Sequence, residues 1–333
     1  MGENPFCFGI GGWLRSVWGQ NIERRRRESL LHRSVEHAVD VADPVIRQAR
    51  KYRKILQPPV ESAMQYCGTI IDSIPGPVEL SRRGYNENPS VSSLFNKPED
   101  LEDLLRISPE TKALSDQGHE GETLALLTMT RQEVTVFGHQ EVGGKIIRDV
   151  PMKSLNFIDH RIVAPTADLD KTKDKLVNRG IEVLATLAME EITSLRARRA
   201  ELQEKKQHLL AMRRILGGKS HMIEMFAIPD PKQRKDIRKV ETALEDLENE
   251  LTDIRQQIET PEQSLGYLEK KMRNPDSFLV MQDLSCRLDW KNVLVDDMPD
   301  TEGNDLKLAE FSVTEELRRS AIFVSFSLQP VNN

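Results

Sequence analysis

The fold is decided by a stretch whose apolar residues recur every seven positions, residues 181–216, IEVLATLAMEEITSLRARRAELQEKKQHLLAMRRIL. The residues one heptad apart in this stretch are Ile181, Ala188, Leu195, Leu202, Leu209 and Leu216. A second set follows later in the chain: Ile237, Leu244, Leu251, Ile258, Leu265 and Met272. A sustained apolar repeat of this period is typical of helices that supercoil around each other. The sequence therefore predicts a long antiparallel coiled-coil hairpin over residues 168–274.

Helix-breaking residues divide the two arms. Gly217-Gly218 and Pro229-Asp230-Pro231 lie between them and favour an intramolecular turn over a parallel dimer. The matching register pairs Leu202 with Leu244 and brings Arg198 near Glu248 and Glu250. A helical bundle that packs on the rest of the protein is the alternative to a projecting hairpin.

A proline interrupts the second arm. Pro261 removes a backbone hydrogen-bond donor, which predicts a kink or a break at this point. Thr260 and Gln263 have the spacing of a capping box and would start a new helix after the break.

Patterns with a period of two lie on both sides of the hairpin and predict β-strands. Before it these are Leu124–Phe137, Lys145–Val150 and Ser154–Ala164; after it they are Phe278–Trp290, Leu306–Val313 and Ala321–Leu328. The last strand places Ile322, Val324, Phe326 and Leu328 on one face. We therefore predict an α+β fold, in which a mixed or antiparallel sheet is interrupted in sequence by the hairpin.

The N-terminal region is predicted to be helical. One helix begins near Ile22, and a second follows the capping residue Asp43 and Pro44. Pro58-Pro59 is predicted to end that helix before a third one over residues 60–74. Residues 75–98 are rich in Pro, Gly, Asn and Ser and are predicted to form a loop, followed by a short acidic helix to Leu105.

These patterns divide the chain into five regions. They are an irregular apolar arm over residues 1–20, a helical region over 21–121, the first part of the sheet over 122–167, the hairpin over 168–274, and the second part of the sheet over 275–333.

Composition limits the classes of function. Of 333 residues, 38% are apolar, 30% charged and only 5% aromatic, which favours an elongated protein with long solvated helices. The three cysteines are scattered, so we expect idle thiols in a reducing, cytoplasmic setting. No stretch approaches the roughly 20 apolar residues of a membrane span.

Motifs of catalysis and cofactor binding are incomplete. Gly217-Gly218-Lys219-Ser220 resembles the end of a phosphate-binding loop, but Arg213 stands where that motif needs glycine. The histidines lack the spacing of metal ligands. Asp159-His160-Arg161 comes nearest to a reactive cluster, yet strand alternation places His160 on the face opposite its neighbours. We therefore expect a non-enzymatic protein without cofactor, metal or evident small-molecule substrate.

The turn between the hairpin arms is unusually apolar. Its apolar residues are Met222, Ile223, Met225, Phe226 and Ile228. Exposed apolar patches are often contact sites, and methionine adapts readily to different surfaces. We hypothesise that this turn binds a protein partner, a second copy of the chain or a bilayer surface. The alternative is that these side chains close the end of the coiled coil.

The N-terminal segment supports a second hypothesis. Trp13 and Trp18 precede the four consecutive arginines Arg24, Arg25, Arg26 and Arg27. Aromatic residues followed by positive charge are typical of peripheral contact with an anionic membrane surface, and the arginines also suit nucleic-acid phosphates. The alternative is an arm that packs on the body of the protein.

The function favoured overall is a scaffold or protein-interaction protein that uses the hairpin.

Overall fold

The computed structural model describes residues 28–142, 145–226, 231–295, 302–313 and 318–328, and within these ranges it describes no side chain of residues 139–146 or 217–234. The fold is α+β, as predicted, with a pair of long helices between the strands in sequence. The chain divides into two units. Over the described residues, the helical unit contains 28–62 together with Glu182–Arg273, and the sheet unit contains Ala63–Ile181 together with the residues from Asn274 onward.

The helices are, in chain order, α1 (28–42), α2 (Tyr52–Asp72), α3 (Arg82–Glu87), α4 (Pro89–Leu94), α5 (Pro98–Ile107), α6 (Pro109–Asp116), α7 (Leu169–Phe226), α8 (Pro231–Ile258) and α9 (Pro261–Arg273). The strands are β1 (Val78–Glu79), β2 (Gly121–Val142), β3 (Lys145–Thr166), β4 (Val280–Leu288), β5 (Asn304–Ser312) and β6 (Arg318–Leu328).

Asp43 caps a helical turn, as predicted. Its carboxylate accepts a hydrogen bond from the Val45 N–H at 3.2 Å, and Pro44 occupies the first helical position. The turn is a 3-10 helix over Pro44–Gln48, however, and α2 begins only after it.

The predicted helix end at Pro58-Pro59 is wrong, because α2 runs through both prolines. Four side chains on α2 are fully buried at alternating spacings of four and three residues: Leu56, Val60, Ala63 and Cys67. A proline inside a helix costs about 3 kcal/mol, and burial of one large aliphatic side chain contributes about 1.5–3 kcal/mol. Tertiary packing along this face therefore offsets the missing backbone hydrogen bonds.

The predicted loop over residues 75–98 contains regular elements instead. Ser81 caps α3 by accepting a hydrogen bond from the Gly84 N–H at 2.9 Å, and Asn88 caps α4 through the Ser90 N–H at 3.0 Å. Ser, Asn and Pro are also the preferred residues of helix N-termini. The Pro, Asn and Ser residues that predicted a loop therefore belong to the N-termini of two short helices. Helix α5 follows them as predicted.

The sheet is mixed, with the strand order β3-β2-β6-β5-β4 and antiparallel pairing along that path. β1 adds one parallel pairing, in which Val78 lies opposite Val324 of β6. The two short strands predicted between residues 145 and 164 are one continuous strand, β3.

Three residues of β3 adopt left-handed backbone conformations: Asp149, Asp159 and Ala164, with φ of 60°, 53° and 54°. Each lies where the pairing between β2 and β3 shifts register, which identifies it with a β-bulge. Bulges bend a strand and increase its twist. They account for the curl of this sheet. Its edge strands β3 and β4 are joined through the segment 292–295: the Leu294 N–H donates to the Lys153 carbonyl oxygen of β3 at 2.8 Å, and the Val295 N–H donates to the Arg287 carbonyl oxygen of β4 at 2.9 Å.

Both faces of the sheet are buried. Ile322, Val324 and Phe326 lie in one apolar cluster together with residues of α4 and α5, which confirms the predicted face of β6. Ala321 and Phe323 belong to a cluster on the other face. β6 is therefore a central strand covered on both sides.

The joint between α8 and α9 has the predicted geometry. The Thr260 N–H donates to Oε1 of Gln263 at 2.7 Å, and the Gln263 N–H donates to Oγ1 of Thr260 at 3.4 Å. This reciprocal pair is a capping box, and α9 begins at Pro261 as expected.

Candidate functional site

The base of the helical hairpin is enclosed by neighbouring segments of the helical unit. Arg196 of α7 donates a hydrogen bond to the buried carboxylate of Asp43 and lies 3.4 Å from Oγ of Ser264 in α9. Lys271 of α9 forms an ion pair with Glu191 of α7 at 2.9 Å. The apolar residues buried here are Leu184, Ala185, Ala188, Ile192, Leu265, Leu268 and Met272.

Beyond the base, α7 and α8 pack against each other in antiparallel orientation. The ion pair between Arg199 and Glu259 lies nearer the base, and the pair between Lys206 and Glu248 lies farther along. Leu202, Leu247 and Leu251 form a buried cluster, against which Leu209 and Ile254 pack.

The predicted register is only partly correct. Arg198 does contact Glu250, at 3.2 Å. Leu202, however, clusters with Leu247 and Leu251 rather than with Leu244. Sliding one arm by about a turn keeps apolar residues opposed, so the heptad pattern alone does not specify the register.

A groove of about 680 Å³ lies between α7 and α8, and we call it the hairpin groove. Its apolar floor includes Leu202, Leu209, Ala243 and Leu247. Its polar walls are formed by Arg198, Glu201, Glu204, Lys205, His208, Asp246 and Glu250.

The groove forms because the two helices differ in how many rows of apolar residues they carry. α8 has apolar residues in two rows, one containing Leu244 and Leu251 and the other containing Val240 and Leu247. α7 has only one continuous apolar row, because Arg198 and Lys205 occupy its companion row. Long charged side chains extend toward water, so the space between the helices stays unfilled on that side.

Two polar rows of α7, one with Arg198 and Lys205 and the other with Glu201 and His208, are each followed by an exposed apolar residue. Seven residues beyond Lys205 lies Met212, and seven beyond His208 lies Ile215. Residues seven apart lie on nearly the same face of a helix, so Met212 and Ile215 continue the wall of the groove. Their exposed fractions are 42% and 60%, respectively.

The groove carries an excess of negative charge. Four carboxylates line it, from Glu201, Glu204, Asp246 and Glu250, whereas its permanent cations are Arg198 and Lys205. Hydrogen bonds from Lys205 and Arg198 lower the pKa of Glu201 below its ordinary 4.5. The wall therefore stays acidic at neutral pH.

The residues predicted to bind a partner lie farther along the hairpin. Met222, Ile223, Met225 and Phe226 belong to the last part of α7, where side chains are not described, and Ile228 lies outside the described residues. That hypothesis remains a prediction. Met212 and Ile215, which precede these residues on α7, were not singled out by the sequence pattern, although the loss of the second apolar row was visible in it.

The N-terminal contact residues lie outside the described part of the chain. They are Trp13, Trp18, Arg24, Arg25, Arg26 and Arg27. Binding of a membrane surface or nucleic acid through this segment thus remains a prediction.

The Asp159-His160-Arg161 segment divides between two environments, as strand alternation predicted. Asp159 accepts hydrogen bonds from Arg319 and Arg161, which hold its pKa below the ordinary value. His160 stacks on Phe95 with ring centroids 4.5 Å apart, and its Nε2 lies 2.8 Å from the Leu94 carbonyl oxygen. Burial lowers the pKa of His160. These interactions stabilise a bulge and a core rather than forming a catalytic pair.

Cys67 and Cys286 are buried free thiols, and Cys7 lies outside the described residues. Burial raises the pKa of Cys67 to about 11, which keeps this thiol protonated. Within the described ranges no group of three or more His, Cys, Asp or Glu side chains is placed to hold a metal ion. Over the same part of the chain, no helix combines the length and apolarity needed to cross a bilayer.

Comparison with known proteins does not assign a family. No family model, curated protein or solved structure matches the chain.

Proposed function

We propose that this is a non-enzymatic interaction protein whose hairpin groove binds an amphipathic helix of a protein partner. The observation that supports the proposal most strongly is the apolar floor of the groove, together with the exposed side chains of Met212 and Ile215, which lie beyond its wall on α7. A helix that packed its apolar face on this floor would supply the apolar side chains that the second row of α7 lacks.

The charges of the groove define the expected partner. Its four carboxylates and two permanent cations favour a helix with an apolar stripe flanked by lysine or arginine. A second copy of the chain is the alternative occupant, since α7 itself carries basic residues such as Arg213 and Arg214. In this proposal α7, α8 and the bound helix form a supercoiled three-helix assembly.

Site-specific photo-crosslinking tests the proposal in cells that produce the protein. The variant Lys205→p-benzoylphenylalanine places the reactive group in the groove, and Thr252→p-benzoylphenylalanine places it on an exposed position of α8 that does not line the groove. We expect adducts from position 205 only, with the attached peptide mapped by mass spectrometry to a basic amphipathic helix. Equal adduct yields at both positions, or none at position 205, would refute a binding site in the groove, and adducts to this same chain would identify self-association.

A further inference from the structure

Trp290 lies in the turn that follows β4 and is 84% exposed. Tryptophan is highly buried on average because its ring carries a large apolar surface. The exposure is imposed by a fixed turn. Oδ1 of Asp289 accepts hydrogen bonds from the N–H groups of Lys291 and Val293, both at 2.8 Å, and the Asn292 side chain donates to the Ser93 carbonyl oxygen of α4 at 3.0 Å.

A cavity of about 410 Å³ lies beside Trp290 within the sheet unit. Its lining comes from α3, α4 and the two residues that follow α4, the turn after β4 and the first residue of β5. Cavities of roughly 300–1,000 Å³ are typical of small-molecule sites. This cavity is therefore large enough for a ligand of one or two sugar rings.

Side-chain amides give the cavity its chemical character. Asn86, Asn96 and Asn304 line it, and within the described residues their side chains form no hydrogen bond. An amide offers two N–H donors and one carbonyl acceptor, which match hydroxyl groups that both donate and accept. The three amides can therefore pair with a polyhydroxylated ligand.

The charge of the cavity argues against a polyanion. Its ionisable acid is Asp289 and its permanent cation is Lys291, so the two formal charges balance. Proteins that bind single-stranded nucleic acid combine aromatic residues with a groove of clear positive excess. Lys291 Nζ lies 4.5 Å from the centroid of the Trp290 ring, and the high exposure of Trp290 leaves ring surface for stacking.

We propose that this cavity binds a neutral saccharide, whose C–H face stacks on Trp290 while its hydroxyl groups bond to Asn86, Asn96 and Asn304. The proposal is independent of helix binding by the hairpin groove, because it depends on residues of the sheet unit alone. It assigns no chemical conversion to the site.

Fluorine NMR of the full chain labelled with 5-fluorotryptophan tests this proposal. The Trp290 resonance is assigned from its loss in Trp290→Phe, and the other two tryptophans serve as internal references. The probes are maltotriose, cellotriose, chitotriose and mannotriose, each up to about 20 mM, so that binding as weak as a dissociation constant of about 1 mM, or about −4 kcal/mol, is detected. We expect at least one probe to shift the Trp290 resonance saturably.

Matched variants establish the site of binding. Loss of one amide hydrogen-bond partner in Asn96→Ala weakens binding about fivefold, since such a bond contributes about 1 kcal/mol. Asn156→Ala removes an amide that does not line the cavity and leaves the midpoint unchanged. An oligothymidine is titrated in parallel as a polyanionic probe. The proposal is overturned if no trisaccharide shifts the Trp290 resonance, if Asn96→Ala has no effect on the midpoint of the saccharide titration, or if the oligothymidine alone produces the shift.

Discussion

The base and the outer part of the helical hairpin belong to the same helix pair but differ in how completely their apolar residues are buried. At the base, Ile192 and Leu268 are shielded almost completely. Farther along, Leu209 is only partly buried, and Met212 and Ile215 are exposed. The difference reflects the number of neighbours: α9 and the turn Pro44–Gln48 pack together at the base, whereas α7 and α8 pair with each other beyond it.

Two helices alone bury only a narrow seam, and a wider apolar face needs a third. The outer part of the hairpin has more apolar surface than its own two helices cover. The base therefore contributes most of the stability of the hairpin, and the uncovered apolar surface beyond it is where we propose that a partner binds.

Truncation of one leucine in each region should show the contrast most strongly. Leu268→Ala removes a fully buried side chain at the base and should lower the free energy of unfolding by about 3 kcal/mol. Leu209→Ala, at a partly buried position, should lower it by about 1 kcal/mol. Urea denaturation followed by circular dichroism measures both, and equal losses would remove the distinction between the two regions.

The ion pair at the base, whose Asp43 carboxylate is buried, should contribute more than a pair with both partners exposed. Asp43→Ala removes the partner of Arg196 and the cap of the turn, and should cost about 2 kcal/mol. Asp43→Asn keeps an oxygen for the cap and should cost about 1 kcal/mol. The control Asp40→Ala removes a surface pair with Arg47 and should change stability by less than about 0.5 kcal/mol; a cost for Asp43→Ala no larger than this control would contradict the assignment.

The joint between α8 and α9 should have a smaller effect. Gln263→Ala removes the acceptor for the Thr260 N–H and a donor to the Gln256 carbonyl, with an expected loss of about 1 kcal/mol. Gln256→Ala is the matched control, because its backbone carbonyl is retained and its side chain is exposed. Denaturation curves that cannot distinguish the two variants would exclude a stabilising role for the capping box.

Charges on the groove wall should give the smallest effect and a defined pH dependence. The lowered pKa of Glu201 means that its ionised form is favoured in the folded state. Its stabilising contribution is complete above the unfolded value near 4.5 and is lost as pH falls through the lower folded pKa. A carboxyl-carbon NMR titration should give a Glu201 pKa below 4.5 that rises in Lys205→Gln; a value at or above 4.5 in the unmodified protein would contradict the observed contacts.

Much of the architecture was predictable because local signals agree with the final packing. The heptads defined both hairpin arms, Thr260 and Gln263 defined the restart at Pro261, and alternation in β6 defined its inner face. In each case the side chains that carry the pattern also make the contacts that stabilise the element.

The remaining features depend on contacts distant in sequence. Helix α2 continues through Pro58-Pro59 because its buried face is packed by other segments, and the bulges at Asp149 and Asp159 depend on the pairing of β3 with β2. The hairpin groove could not be predicted from the sequence, because its position depends on the register of α7 on α8. The heptads do not specify that register to better than about one helical turn. The cavity beside Trp290 lies between two parts of the chain that are distant in sequence. One part is the pair of short helices that the sequence pattern predicted as a loop, and the other is the turn after β4.

The most direct test of the account measures crosslinking from position 205 after the two exposed apolar residues that follow the groove wall on α7 are changed. Met212→Glu with Ile215→Glu, in the Lys205→p-benzoylphenylalanine background, should reduce adduct yield about tenfold, while the free energy of unfolding changes by less than about 0.5 kcal/mol. Ile107→Glu is the control, since this residue is 59% exposed in the sheet unit and should leave the yield unchanged. An adduct yield that survives the double substitution would contradict the assignment of partner binding to the hairpin groove.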